Sequence, residues 1–298
     1  MDLDNCLAEG ELVQVHVEKC SNAENLVPKK RKKSSTWTRT LRLERGKQLH
    51  TNWGVVEHDV IIGSESGTFL KTSTGVNFLI LRPTIADSML SLPRGAAIIY
   101  PKDAGEILMY ADIKEGLNIL ECGLGSGALT LCLLRAAKNT GRVVSVERRE
   151  DFAKTATKNI ENFFGELPNT WSLQVLEFSQ YLQNAIESRI APFDRIILDL
   201  LDPWEYLDSC HQVLRSGAIL TCYITTVTAL STLGNALEKR NDLYSHIETF
   251  EILRRPWRID GLSIRPEHQG IMHSGFILTT RTLATSATNQ ANPTTTGA

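Results

Sequence analysis

Short apolar runs separated by turn residues fill roughly the first ninety positions, after which continuous apolar segments alternate with helically spaced ones. In the first part, Leu12–Val17, 37–43 and 76–81 read as β-strands, with Gly46, Gly54, Gly63, Gly67 and Gly75 marking the turns. The second part predicts strands at Asn118–Cys122, 143–147, 173–177, 195–200 and 218–224. Helical spacing falls at 85–92, 104–113, 128–138, 151–164, 204–214 and 228–240. Continuous apolar strands joined by helices require a sheet covered on both faces. The fold class is therefore α/β: a Rossmann-like, doubly wound, mostly parallel sheet with a small β-rich N-terminal domain. The expected boundaries are 1–83 for the small domain, 84–283 for the larger one and 284–298 for a disordered tail, which carries no charge from Thr285 on.

The net charge of -2 over 298 residues hides a local imbalance. Residues 1–27 are mostly acidic, whereas nine Lys or Arg face only Glu44 between Lys29 and Lys47, and the loop 28–36 is the densest part. Such a run suits an anionic partner; a solvated loop or an import signal are the competing readings. Six cysteines (Cys6, Cys20, Cys122, Cys132, Cys210, Cys222) form no C-x-x-C pair and no zinc spacing, which predicts buried thiols and no metal. No apolar stretch reaches membrane-spanning length and the first residues lack signal-peptide character, so a cytoplasmic protein is expected.

The chemistry concentrates at Glu121-Cys122-Gly123-Leu124-Gly125-Ser126-Gly127-Ala128-Leu129, where a strand turns through glycines into a helix. Glycines there permit a tight turn and close approach of a ligand to the peptide groups. Glu147 closes the next strand 20 residues beyond Gly127, where a carboxylate can accept hydrogen bonds from both ribose hydroxyls of a nucleoside. A dinucleotide would use the same logic. The Gly-x-Gly-x-Gly spacing, the leading Glu121 poised for an ammonium group and the mid-chain position of the loop favour S-adenosylmethionine instead.

The fourth strand ends at Asp199, followed by Asp202-Pro203-Trp204-Glu205. Carboxyl ends of strands rim the ligand crevice of a doubly wound sheet, which places Asp199 beside the glycine loop. Asp202 is expected to cap the next helix, with Pro203 in its first turn.

At this level of detail the chain resembles the bacterial tRNA (adenine(58)-N(1))-methyltransferases, especially the actinobacterial form, within the class I S-adenosylmethionine-dependent methyltransferases. The matching segments keep their order over roughly residues 40–283. They are Gly46-Lys47 with His50-Thr51, His58-Asp59, Ile62-Gly63, Leu81-Arg82-Pro83, the stretch from Pro93 to Ala104, the glycine loop, Leu198-Asp199 with Pro203-Trp204-Glu205, and Arg265-Pro266 with His268 and His273. The resemblance implies methyl transfer from S-adenosylmethionine to N1 of an adenine in tRNA, and a homotetramer. Its implied cofactor contacts are Gly123, Gly125, Ser126, Gly127, Ala128, Leu129, Glu147, Phe152, Glu177 and Asp199, with Asp199 and Tyr100 as catalytic candidates. Family members usually carry Asp where Glu177 stands and a polar or basic residue where Phe152 stands. Arg94, Lys102 and the Arg254-Arg255-x-Trp257-Arg258 cluster are expected to join the 29–47 run in gripping phosphates. The competing functions are the same chemistry on a protein or small molecule, and a catalytically inactive RNA-binding subunit.

Overall fold

The computed structural model describes residues 6–17, 37–93, 95, 97–268 and 270–284. The basic loop 28–36, Cys20, Arg94 and residues 285–298 of the expected tail lie outside these described residues.

In chain order the elements begin with β1 (Leu12–Val17), β2 (Trp37–Arg42), β3 (Gln48–Thr51), β4 (Gly54–Glu57), α1 (His58–Ile61), β5 (Phe69–Lys71) and β6 (Asn77–Leu81). They make an antiparallel sheet of order β2-β1-β6-β5 and a β3–β4 hairpin. Alternate residues Val13, Val15 and Val17 of β1 point inward with Phe78 and Ile80 of β6, and Leu43, Val56 and Ile61 close a separate core over them. Arg42 donates to the carbonyl of Gly10 within this unit and links it to the rest of the chain by donating to the carbonyl of Asn162.

The chain continues through α2 (Ile85–Ser91), α3 (Pro101–Tyr110), β7 (Asn118–Cys122), α4 (Ala128–Ala137), β8 (Arg142–Glu147), α5 (Glu150–Phe164), β9 (Trp171–Val175), α6 (Phe178–Glu187), β10 (Phe193–Leu198), α7 (Leu207–Val213), β11 (Leu214–Ile224), α8 (Val227–Glu238), β12 (Tyr244–Glu251), β13 (Trp257–Asp260), β14 (Ser263–Pro266) and β15 (Phe276–Thr282). Seven strands form one sheet in the order β12-β15-β11-β10-β7-β8-β9. The strands from β9 across to β11 are parallel, and β15 and β12 add on antiparallel to their neighbours. One face packs on α6, α7 and α8, the other on α2 to α5, giving two apolar layers around a central sheet. The chain reverses its direction of travel across the sheet between β7 and β10, and that switch point opens a crevice at the strands' carboxyl ends.

Several sequence expectations shift. The third parallel strand runs Trp171–Val175 rather than 173–177, because Trp171 Nε1 donates to Ser145 Oγ at 3.0 Å and anchors the edge strand earlier. The helix expected at 204–214 divides into a 3-10 turn, Pro203–Tyr206, and α7, and β11 already starts at Leu214. Asp202 does precede the turn, but its side chain makes no cap; its carbonyl accepts from Glu205 N instead. Helix α6 went unpredicted although Phe178, Leu182 and Ala185 form its buried stripe. Beyond residue 240, β12 and the β13–β14 hairpin are too exposed to show a core pattern, whereas β15 is buried but carries three threonines and an arginine that mask it.

Thr84 starts α2 with a reciprocal cap, its Oγ1 accepting from Asp87 N while Asp87 accepts from Thr84 N. Thr84→Ala is expected to cost about 1 kcal/mol in chemical denaturation, since Asp87 N loses its side-chain acceptor.

Candidate active site

Three glycines with positive φ let the chain leave β7 and enter α4: Gly123 (φ 92°), Gly125 (φ 54°) and Gly127 (φ 81°). They serve different purposes. A Cβ on Gly123 would lie 2.1 Å from the carbonyl oxygen of Asp199, so only glycine admits the end of β10 against the loop. Asp199 N donates to Cys122 O at 2.8 Å and seals that contact. Gly127 is packed by Ala156 and Ile160 of α5, which fixes the loop on its helix layer. Gly125 has open space where a side chain would be, and its N–H donates to Glu147 Oε2 at 3.3 Å.

Glu147 is buried at the end of β8. Its Oε1 accepts from Arg149 N at 3.0 Å and from the half-exposed Arg149 Nε at 3.3 Å. A carboxylate offers about four lone-pair sites, so capacity for a further donor remains on Oε2. Ser126 is buried with an Oγ that finds no partner among the described residues, while its carbonyl accepts from Asn159 Nδ2 at 2.9 Å. Ala128 and Leu129 are buried at the start of α4. An open glycine, an orphaned hydroxyl and a fixed strand-end carboxylate together suit a ligand carrying both charge and a ribose-like diol.

The acids behind the loop lie close enough to act on one another. Glu121 is 2% exposed, and its Oε2 accepts from Thr130 Oγ1 at 2.8 Å and Ser145 Oγ at 2.7 Å. Burial, reinforced by the charges of Asp199 and Glu147, pushes its carboxyl up to about 7 despite those two hydrogen bonds. Asp199 is half-buried, its carboxylate has no hydrogen-bond or ion partner among the described residues, and desolvation together with the charge of Glu147 raises it to about 6.

The remaining candidates lie farther out. Phe152 stacks under the Arg149 guanidinium at 3.5 Å and packs on Gly95. Glu177 is an exposed residue preceding α6, 3.9 Å from Arg148, and not the end of a strand. Tyr100 precedes α3, its carbonyl accepting from Asp103 N and Ala104 N, and its ring packs partly buried on the α2–α5 layer. His273 pairs with Glu251 at 2.7 Å near Thr225 O, at the carboxyl end of β11; the Glu251 hydrogen bond raises its pKa. His268 is exposed. Asn159, Thr130 and Ser145 escaped sequence reasoning; a buried Asn on the apolar face of α5 was the one readable signal. Among the described residues no His, Cys, Asp and Glu cluster could hold a metal ion, and no helix is long and apolar enough to cross a membrane. Cys122, Cys132, Cys210 and Cys222 are buried free thiols as expected, whereas Cys6 is exposed.

The profile of the tRNA methyltransferase complex GCD14 subunit matches residues 77–292, and that of the TR61B FKBP-like domain matches residues 25–75. The chain belongs to the GCD14 tRNA methyltransferase family. This GCD14 family member is 30% identical over 250 residues to the tRNA (adenine(57)-N(1)/adenine(58)-N(1))-methyltransferase TrmI of Methanocaldococcus jannaschii, covering 78% of this chain and 86% of that one. Against the tRNA (adenine(58)-N(1))-methyltransferase TrmI of Thermus thermophilus it is 28% identical over 238 residues, 80% of this chain and 90% of the relative. The solved tRNA (m1A58) methyltransferase TrmI of Aquifex aeolicus superposes with TM-score 0.73 at 27% identity, covering 94% of this chain and all of that one. A SAM-dependent O-methyltransferase from Thermotoga maritima gives TM-score 0.79 at 27% identity, over 94% and 96% of the two chains. The GCD14 member thus has the class I methyltransferase fold.

Two substitutions test this geometry. Gly123→Ala is expected to cost about 3 kcal/mol or more, or to prevent folding, because the added methyl meets backbone rather than a movable side chain. The folded protein holds the Glu121 proton up to about pH 7, whereas the unfolded chain releases it near 4.5. The resulting penalty is absent below the unfolded value and grows as pH rises through 7, where it reaches on the order of 3 kcal/mol. Glu121→Gln should therefore gain thermal stability relative to the parent at pH 8 and show no such gain at pH 4.5.

Proposed function

We propose that this protein transfers the methyl group of S-adenosylmethionine to N1 of adenine 58 in tRNA. The observation that carries the reading is Asp199, a half-buried carboxylate without a hydrogen-bond or ion partner among the described residues, held against the glycine loop in a chain of this family. Ser126, Gly125 and Glu147 fit the cofactor's polar parts, Glu147 accepting from the ribose. Gly123, Gly127, Ala128 and Leu129 shape the loop around it; Phe152 and Glu177 supply the outer wall, with Glu177 reaching toward the adenine. When bound, S-adenosylmethionine supplies an electrophilic methyl group on a sulfonium.

Adenine N1 needs no base to expose its lone pair, but methylation leaves a cation spread over N1 and the exocyclic amine. Asp199 accepts a hydrogen bond from that amine, fixes the ring and stabilises the charge as it develops. Tyr100 brackets the base after it leaves its stack, an extrusion that costs a few kcal/mol. Alignment of the two reactants can contribute roughly 7–11 kcal/mol at best. The arrangement of Glu147 and Asp199 argues against an inactive RNA-binding subunit.

Lys and Arg between Lys29 and Lys47, with Arg254, Arg255 and Arg258, grip phosphates, so binding weakens steeply with salt. A homotetramer assembles this basic face on the present reading; the exposed apolar hairpin side chains Trp257, Ile259, Leu262 and Ile264 support a buried contact there. The free thiols support a cytoplasmic setting.

Labelled donor and bulk tRNA lacking the modification provide the test: label should appear as 1-methyladenosine in tRNA, and label in a protein extract instead would overturn the substrate. Asp199→Ala should lower kcat on the order of 100- to 1000-fold with donor affinity nearly intact. Glu147→Ala should weaken donor binding in calorimetry by about 10- to 100-fold. Because Asp199 acts as a carboxylate and is raised to about 6, kcat/KM should fall as pH drops below about 6. A flat profile down to pH 5 would contradict its role.

A further inference from the structure

A second buried charge centre lies beside Asp199. The Lys102 side chain is 6% exposed and faces the fully buried Asp103 at 2.6 Å, so it is spent inside the protein and, against the sequence expectation, does not reach phosphates. Lys102 Nζ also donates to Ile252 O at 2.8 Å and to Ser274 Oγ. Asp103 Oδ2 in turn accepts from Ser274 Oγ at 2.6 Å and from Tyr223 OH at 3.3 Å. Burial and the charges of Asp103 and Asp199 hold the Tyr223 hydroxyl protonated well above its ordinary range. A buried ion pair is a poor way to gain stability, because desolvation offsets the attraction; its worth lies in fixing geometry when every partner is satisfied.

The geometry here is that of the crevice. Leu198 of β10 pairs with Cys222 of β11, so Asp199 and Tyr223 are lateral neighbours at the ends of adjacent strands, on the sheet face that carries α3. Lys102 and Asp103 lie in the first turn of α3, one and two residues past the Pro101 that follows Tyr100, Ile252 follows β12, and Ser274 lies between His273 and β15. A Cβ on the next residue, Gly275, would come within 2.5 Å of Tyr223 Cζ, so this segment lies flush on the Tyr223 ring.

We propose that Lys102 is a positioning residue for methyl transfer: through Asp103, Ser274 and Tyr223 it clamps the Tyr100 turn and the segment before β15 in fixed relation to Asp199. The clamp rests on the substrate reading above but acts through other residues.

Ser274→Ala removes the bridging hydroxyl and leaves the ion pair, and Ser274→Thr restores it. In the full chain, kcat per donor-binding site, with sites counted by calorimetric titration, should fall about 10-fold in Ser274→Ala and recover in Ser274→Thr, since small misplacements at a reacting centre cost 10- to 100-fold. Donor affinity should stay within about twofold, because no donor contact is removed. Lys102→Met should lose more turnover per site. A purely structural network would lower the number of competent sites and leave turnover at each unchanged, which would overturn the proposal. Hydrogen exchange gives a readout independent of tRNA: in Ser274→Ala the amides of 100–104 and 271–275 should exchange faster together, while the glycine loop stays as in the parent. Unchanged exchange in either segment would sink the clamp, whereas parent enzyme that labels no tRNA would sink only the substrate reading.

Discussion

The close approach of two chain reversals governs this protein. Gly123 and Asp199 end adjacent parallel strands at the point where the chain changes direction across the sheet, and their backbones touch without room for a methyl group between them. That contact, sealed by the Asp199 N to Cys122 O hydrogen bond, holds a carboxylate at the edge of a backbone cradle. Everything chemical about the site follows from a rigid distance between a loop that can bind a cofactor and an acid that can meet a base.

Electrostatics adds the second constraint. Glu121, Glu147 and Asp199 converge behind and beside the loop, and burial makes each charge costly unless something answers it. Glu147 is answered by backbone N–H groups and Arg149, and Glu121 partly by two hydroxyls. Asp199 is left with none among the described residues. An acid so placed favours a cation arriving from outside, which is what a sulfonium donor and a methylated adenine both present. Across the next strand, Lys102 and Asp103 neutralise each other and leave the field at Asp199 to the acids, while their hydrogen bonds tie the surrounding segments together.

Much of the site was legible before folding because its residues sit at strand ends, where local pattern and topology coincide. A continuous apolar strand, a glycine turn and an acid 20 residues on specify a crevice without tertiary detail. Glu177 was harder to place. The strand before it, β9, is a sheet edge that stops at Val175, so residue 177 falls at the start of α6 instead of at a strand end. Asp202 resembled a cap, yet the turn it precedes is 3-10 and its backbone carbonyl takes the bond instead.

The sequence alone determined the parallel sheet, the separate β-rich N-terminal unit, the cofactor loop and the candidacy of Asp199, since each depends on neighbours close along the chain. Only the tertiary structure decided the antiparallel additions of β12 and β15 and the hydroxyl partners of Glu121. It also brought Lys102, Asp103, Tyr223, Ile252 and Ser274 into one network. Those contacts join segments up to 172 residues apart, and a side chain's value in them depends on burial and on partners that only folding supplies.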